Sequence, residues 1–164
     1  MTDTGTTRKI VLGLGNTLNM DEGLGVHALK ELEVHIKEIA PDIEFLDGGV
    51  LGLNLLPWVE EASHLLVLDA IDAHKLPGTL LELQRDQIPL FSGIKISDHQ
   101  VTFQEVLGLA RFRGHFPPNL HLIGIQPEDI SMGVGLSPLV QAKIPELIER
   151  ATTVLMDWNL IVKE

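Results

Sequence analysis

The stretch KIVLGLGNTLNMDEGLG, residues 9–25, decides the fold of this chain. It starts with the apolar run Ile10-Val11-Leu12, which is typical of a buried strand, and breaks at Gly13-Leu14-Gly15. Two adjacent acids, Asp21 and Glu22, then lead into a helical pattern. A buried strand that ends in glycines and feeds a helix predicts the first half of a βαβ unit. Because ligands of open α/β sheets bind beyond the carboxyl ends of the strands, we expect these acids at a functional edge.

The rest of the chain continues this alternation of strands and helices. The spacing of apolar residues predicts helices over 23–39, 51–62, 98–111 and from 137 to about 158, and strands over 43–46, 64–68, 79–83 and 120–125. The strand at 64–68 is apolar on both faces, as in the middle of a parallel sheet, whereas 79–83 is expected at an edge and antiparallel. The predicted fold is a three-layer α/β/α sandwich around a five-stranded, mostly parallel twisted sheet.

Length and charge limit what this chain can be. Its 164 residues fit a single domain over 1–164, with residues 1–7 expected to be a disordered tail. The formal charge of −11 argues against nucleic acid and anionic membranes as partners. The absence of cysteine excludes disulfides, a thiol nucleophile and thiolate metal ligands. No apolar stretch is long enough to span a membrane and no signal peptide is recognisable, so we expect a cytoplasmic monomer.

Acidic residues follow three of the predicted strands. Glu22, with Asp21 beside it, follows the first strand, Asp47 the second and Asp69 the third. Parallel strands open on the same edge, and His99 is predicted in the first turn of a helix that starts beside that edge. Two carboxylates and one imidazole form a plausible ligand set for a divalent ion such as zinc or nickel. The sequence therefore predicts a metal site at this edge.

Each of these residues also has a purely structural interpretation. Asp47 precedes two glycines and could cap a turn, Glu22 could be a favourable anion at a helix start, and His99 could be a surface residue. Asp69 is harder to explain in this way, because it ends an apolar strand where an unpaired charge is costly. The glycine loop also suggests dinucleotide binding, but its third position is Leu18 and its two acids would repel a pyrophosphate.

Several blocks of this sequence resemble the hydrogenase maturation endopeptidases, above all those of uptake-type [NiFe] hydrogenases. The blocks are GLGNTLNMDEGLGV, LDGG with GLNLL, HLLVLDAID with PGTL, SDHQ with FQEVL, and LIGIQP. They occur in the same order along nearly the whole chain. The resemblance implies a single-domain α/β/α protein that removes the C-terminal extension of the hydrogenase large-subunit precursor after nickel insertion.

The resemblance also implies roles for particular residues. The family's metal-binding positions fall on Glu22, Asp69 and His99, which would also be the catalytic residues. The family's substrate-recognition motif falls on Asp47-Gly48-Gly49. Asp98 departs from other members, which can carry a different residue there, and it could support His99. We expect the nickel to be supplied by the substrate, so that only a filled precursor is cut; a resident zinc or another divalent ion is the competing hypothesis.

Two other functions remain open at this stage. Peptidyl-tRNA hydrolases also begin with a strand that leads into GLGN, although the acidic charge of this chain does not suit an RNA substrate. The second is a non-catalytic, nickel-dependent chaperone that binds the precursor without cutting it.

Overall fold

The computed structural model describes residues 7–49, 51–90 and 102–161. Within these ranges, five strands form one sheet that lies between helices, and the predicted three-layer α/β fold is confirmed. The strands are β1 Arg8–Leu14, β2 Ile43–Gly49, β3 Ala62–Ala70, β4 Leu80–Gln84 and β5 Asn119–Ile125. The helices are α1 Leu24–Ile36, α2 Leu56–Glu61, α3 Phe103–Phe112, α4 Pro138–Gln141 and α5 Ile144–Asp157, and short 3₁₀ turns occupy Met20–Gly23, Gly52–Leu55 and Ile88–Leu90. Apart from Thr7, the predicted tail lies outside the described residues.

The strand order in the sheet is β2-β1-β3-β5-β4. The pairs β1–β2, β1–β3 and β3–β5 are parallel, and β4 pairs antiparallel with β5 at the edge of the sheet. The predicted antiparallel edge strand is therefore confirmed, one residue later than expected. β3 lies in the centre, as its uninterrupted apolar sequence predicts.

The apolar side chains of β3 divide between the two faces of the sheet. Leu66 and Leu68 belong to a core shared with α1 and α5. Leu65 and Val67 belong to the core on the other face, shared with α2 and α3. All four side chains are fully buried. Successive strand residues point to opposite faces, so a run that is apolar at every position requires helices on both sides.

The helix predicted from Asp98 starts later in the structure. Thr102 has an extended backbone and is the N-cap, so α3 begins at Phe103. The Glu105 amide donates to Thr102 Oγ1 at 3.1 Å, and the Thr102 amide donates to Glu105 Oε2 at 2.8 Å. This capping box, not the one expected at Ser97, starts the helix. Asp98 and His99 lie outside the described residues.

Prolines divide two other predicted helices. The helix expected from Ser137 onward is in fact two helices, α4 and α5, with Pro145 in the first turn of α5. Pro57 likewise lies in the first turn of α2, after a separate 3₁₀ turn. Proline has no amide hydrogen and is accepted in a first turn but not in a helix interior. Among the residues that the structure describes, no helix has the length and apolar character needed to cross a membrane.

Candidate active site

The chain changes direction in the sheet beside β1. From β1 it passes through α1 to β2 on one side, and it then crosses to β3 on the other side of β1. The carboxyl ends of β1 and β3 therefore open next to each other, at the position where open α/β sheets bind their ligands. Glu22 lies in the 3₁₀ turn after β1, and Asp69 is near the end of β3. The topology brings these two predicted site residues to the same part of the edge.

Two glycines allow the start of α1 to rest directly on the strand ends. A Cβ atom on Gly15 would lie 1.8 Å from the carbonyl oxygen of Glu22, and Gly15 has a φ of +122°. A Cβ atom on Gly25 would lie 2.2 Å from the carbonyl oxygen of Leu68 and 2.4 Å from that of Leu14. Any side chain at either position would push the helix away from the sheet. The glycines therefore set how closely Glu22 approaches the end of β3.

Asp69 is the most perturbed acid at this edge. It is 2% exposed. Its Oδ1 accepts a hydrogen bond from the Ala70 amide at 2.8 Å, while its Oδ2 is buried and has no partner among the described residues. Burial raises the pKa of the carboxyl from 3.8 to about 8, the Ala70 hydrogen bond opposes the rise, and the charge of Glu22 adds to it. At neutral pH the isolated protein therefore holds Asp69 mostly as the neutral acid.

Glu22 shares this environment with Asp69. Its side chain is half-buried, and desolvation raises the pKa of its carboxyl. Two carboxyl groups in a poorly solvated place repel each other when both are ionised. A proton or a bound cation relieves that repulsion, and Oδ2 of Asp69, which no other described residue contacts by a hydrogen bond, can bind either. Oxygen donors of this kind suit a divalent cation.

The third predicted ligand is not described. His99 and Asp98 lie between residues 90 and 102, outside the described residues. Within the described residues, no three histidine, aspartate or glutamate side chains are arranged to hold a metal ion. The ligand role of Glu22, Asp69 and His99 therefore stays a prediction, for which the structure supplies two oxygen donors that suit a cation.

Asp47, Gly48 and Gly49 lie at the end of β2, on the other side of β1. Asp47 is exposed and Gly48 is buried. Gly49 has a φ of +44°, and its carbonyl accepts from the Gly15 amide at 3.0 Å. An open cleft of about 260 Å³ is lined by Gly15, Asn16, Thr17, Leu18, Val26, Asp47 and Gly49. The predicted recognition motif thus borders a cleft shared with the glycine loop, whereas Glu22 and Asp69 do not line it.

Asp21 does not share the role of its neighbour. It is fully buried. Its Oδ2 accepts from the Glu128 amide at 3.0 Å, the Asp129 amide at 3.0 Å and Ser137 Oγ at 2.8 Å. Its Oδ1 accepts from the Ser137 amide at 2.8 Å. The carboxylate therefore fastens the loop after β5 to the turn that carries Glu22. Asp21 follows β1 as expected, but its oxygens bind groups of the protein's own framework.

A comparison with known protein families shows which family this chain matches. The family model for HycI, hydrogenase maturation protease, matches residues 26–154. The chain belongs to the hydrogenase maturation protease family. The predicted resemblance is confirmed, and with it the assignment of the chain as an enzyme of the hydrolase class. Membership in this family favours the protease interpretation over the peptidyl-tRNA hydrolase alternative.

Individual hydrogenase maturation proteins are similar to this chain over most of their length. The chain is 44% identical over 157 residues to the hydrogenase expression/formation protein HupD of Rhizobium leguminosarum bv. viciae, covering 94% of this chain and 77% of HupD. It is 40% identical over 152 residues to the hydrogenase 2 maturation protease of Escherichia coli K12, covering 92% of each. It also matches the structure of the E. coli hydrogenase maturating endopeptidase HybD with a TM-score of 0.83 and 36% identity, over 92% of this chain and 93% of HybD.

Proposed function

We propose that this chain is an endopeptidase that removes the C-terminal extension of a [NiFe] hydrogenase large-subunit precursor after nickel insertion. In this proposal, Glu22, Asp69 and His99 bind the nickel that the precursor carries, and Asp47, Gly48 and Gly49 recognise the neighbouring peptide. One observation carries the proposal: the buried Oδ2 of Asp69 has no partner within residues 7–49, 51–90 and 102–161, and the charge of Glu22 acts on the same carboxyl. A buried carboxyl oxygen beside a second acid calls for a ligand, and a cation is the ligand that the two groups favour once both are ionised.

The protonation of Asp69 supports a site that binds its metal only when the precursor is present. Because the pKa of Asp69 lies at about 8, the isolated enzyme holds a proton where the cation would bind. Binding of the nickel-loaded precursor displaces this proton, so the two carboxyl groups bind the cation only as the precursor arrives. We expect two carboxylates and one imidazole, with a proton already held at Asp69, to bind a divalent ion weakly in the isolated enzyme. Weak binding suits nickel supplied by the substrate better than a resident zinc.

Peptide hydrolysis needs a polarised carbonyl and a water molecule. A divalent ion beside the scissile bond supplies Lewis acidity. The oxygen of the water enters the new C-terminal carboxyl group, and the released amine takes up a proton. In this scheme Glu22 and Asp69 fix the position of the precursor's metal centre, and the cleft beside Asp47 orients the peptide that follows it. Correct positioning would then restrict cleavage to a filled precursor.

The decisive experiment is cleavage of purified large-subunit precursor, with and without nickel, and mass spectrometry of the new C-terminus. We expect one cut that requires nickel, and loss of that cut in Asp69→Asn and His99→Ala. Glu44→Gln is the matched control, since Glu44 is an acid near the start of β2 that pairs with Arg8, at the opposite edge of the sheet. Nickel-independent cleavage, or full activity of either site variant, would refute the ligand assignment. Binding of the precursor without cleavage would instead indicate the chaperone function.

A further inference from the structure

An exposed apolar surface lies on the two loops that flank the candidate site. It consists of Leu18 in the loop after β1 and of Ile130, Met132 and Val134 in the loop after β5, and we call it the apolar loop patch. Met132 and Val134 are 90% and 86% exposed, and Leu18 and Ile130 are 62% and 52% exposed. Single exposed apolar residues are common, but several together on adjoining loops are typical of an interaction surface.

The backbone beneath this patch is well ordered by hydrogen bonds. The Gly133 amide donates to the Leu18 carbonyl at 2.9 Å, and the Met20 amide donates to the Gly133 carbonyl at 3.1 Å. Asn19 Nδ2 donates to the Ile130 carbonyl at 3.3 Å. The buried carboxylate of Asp21 holds the start and the end of the same loop. The apolar side chains thus project from a fixed backbone, which lowers the entropy cost of binding a partner.

The patch is continuous with the candidate site. Leu18 lines the cleft that also contains Asp47. Leu18 is also four residues before Glu22, whose amide donates to the carbonyl of the intervening Asn19 at 3.1 Å. A peptide that lies in the cleft would therefore contact Leu18, the residue that the cleft and the patch share.

The charges around the patch indicate what kind of partner fits it. The described loops at the carboxyl edge carry an excess of acidic over basic side chains: Glu22, Asp47, Asp72, Glu128 and Asp129 against Lys75 and Lys143. A second copy of this chain would bring the same acidic loops together, and the whole chain carries a charge of −11. Like charges oppose such pairing, whereas a partner with basic side chains beside an apolar segment is attracted.

We propose that the apolar loop patch is the docking surface for the hydrogenase large-subunit precursor, which contacts it through an apolar segment flanked by basic side chains. This inference rests on the proposed function and extends it, because it assigns recognition to residues outside the metal-binding and Asp47-Gly48-Gly49 motifs. The patch holds the precursor and takes no part in bond cleavage. Its removal should therefore raise KM and leave kcat unchanged.

The test uses the double variant Met132→Ser, Val134→Ser in the full chain. Both side chains are almost fully exposed, so their replacement should leave the fold intact. Phe112→Ser is the control, since Phe112 is 89% exposed at the end of α3, close to the loop that enters β5 at the opposite edge of the sheet. With nickel-loaded precursor as substrate, we expect the double variant to raise KM about tenfold, equivalent to about 1.4 kcal/mol. The control should behave as wild type.

The outcomes separate this inference from the proposed function. Wild-type cleavage with an unchanged KM in the double variant overturns the docking surface and leaves the protease function intact. If the wild type does not cleave, binding of the purified precursor is measured instead. Weaker binding by the double variant than by wild type and Phe112→Ser supports the docking surface. Equal binding by the double variant and wild type, or no binding by wild type, overturns it. A wild-type dimer that the double variant dissociates, measured by sedimentation, would assign the patch to a second copy instead.

Discussion

Replacing Asp69 by asparagine should remove a loss of stability that wild type shows as the pH rises from about 5 to 7. The pKa of Asp69 is 3.8 in the unfolded reference and about 8 in the folded protein. Between these values the folded state keeps a proton that the unfolded state has lost. Stability therefore falls as the pH rises from about 4, and the fall ends only when the pH passes about 8 and folded Asp69 also ionises.

The magnitude follows from the difference of one proton between the two states. Each pH unit inside the window changes the free energy of unfolding by about 1.4 kcal/mol, so wild type should lose about 3 kcal/mol from pH 5 to pH 7. Asparagine has nearly the same shape and can still accept the Ala70 hydrogen bond, but it does not titrate. The Asp69→Asn variant should lack this slope and be the more stable protein at pH 7.

The assay is urea unfolding at pH 5, 6 and 7 in the presence of EDTA, which removes adventitious metal. The relevant quantity is the difference between the two proteins, because other titrating groups, such as His64, whose pKa is lowered by burial, contribute equally to both. Glu44→Gln serves as a control that should keep the wild-type slope. Equal slopes in wild type and Asp69→Asn would show that the Asp69 carboxyl is not desolvated, and the main support for a waiting cation site would be lost.

Three further predictions concern the framework and the metal. Asp21→Ala should lower the free energy of unfolding by about 3 to 5 kcal/mol, because it leaves buried amide donors without an acceptor. Ser137→Ala should lower it by only about 1 to 2 kcal/mol. Denaturant unfolding measures both, and an Asp21→Ala variant as stable as wild type would contradict the role assigned to Asp21. Gly25→Ala should abolish processing, because its Cβ would lie 2.2 Å from the Leu68 carbonyl oxygen. Gly108 has open space around it, so Gly108→Ala should leave processing intact and stabilise α3 by up to about 1 kcal/mol. Precursor cleavage and thermal unfolding compare the two variants, and a fully active Gly25→Ala would refute the close packing. Protein purified without added metal should contain far less than one equivalent of zinc by elemental analysis, and tightly held stoichiometric zinc would end the idea of nickel supplied by the substrate.

Local sequence was sufficient to predict the sheet and the helix layers on its two faces. The apolar run of β3 predicts burial on both faces, and the glycines after β1 predict a tight turn into α1, because both depend on residues close together in the chain. The start of α3 was not predictable in this way. Two possible capping boxes lie five residues apart, at Ser97 and Thr102, and local pattern does not say which one the helix uses.

Sequence alone also determined that acids would gather at one edge, since parallel strands must end on the same side of the sheet. It could not decide what each acid does there. Asp21 and Glu22 are neighbours of the same chemical type. Asp21 accepts hydrogen bonds from amides more than a hundred residues away, whereas the carboxyl of Glu22 acts on Asp69. The partners of a buried carboxylate come from wherever the chain returns in space, and only the tertiary structure contains that information.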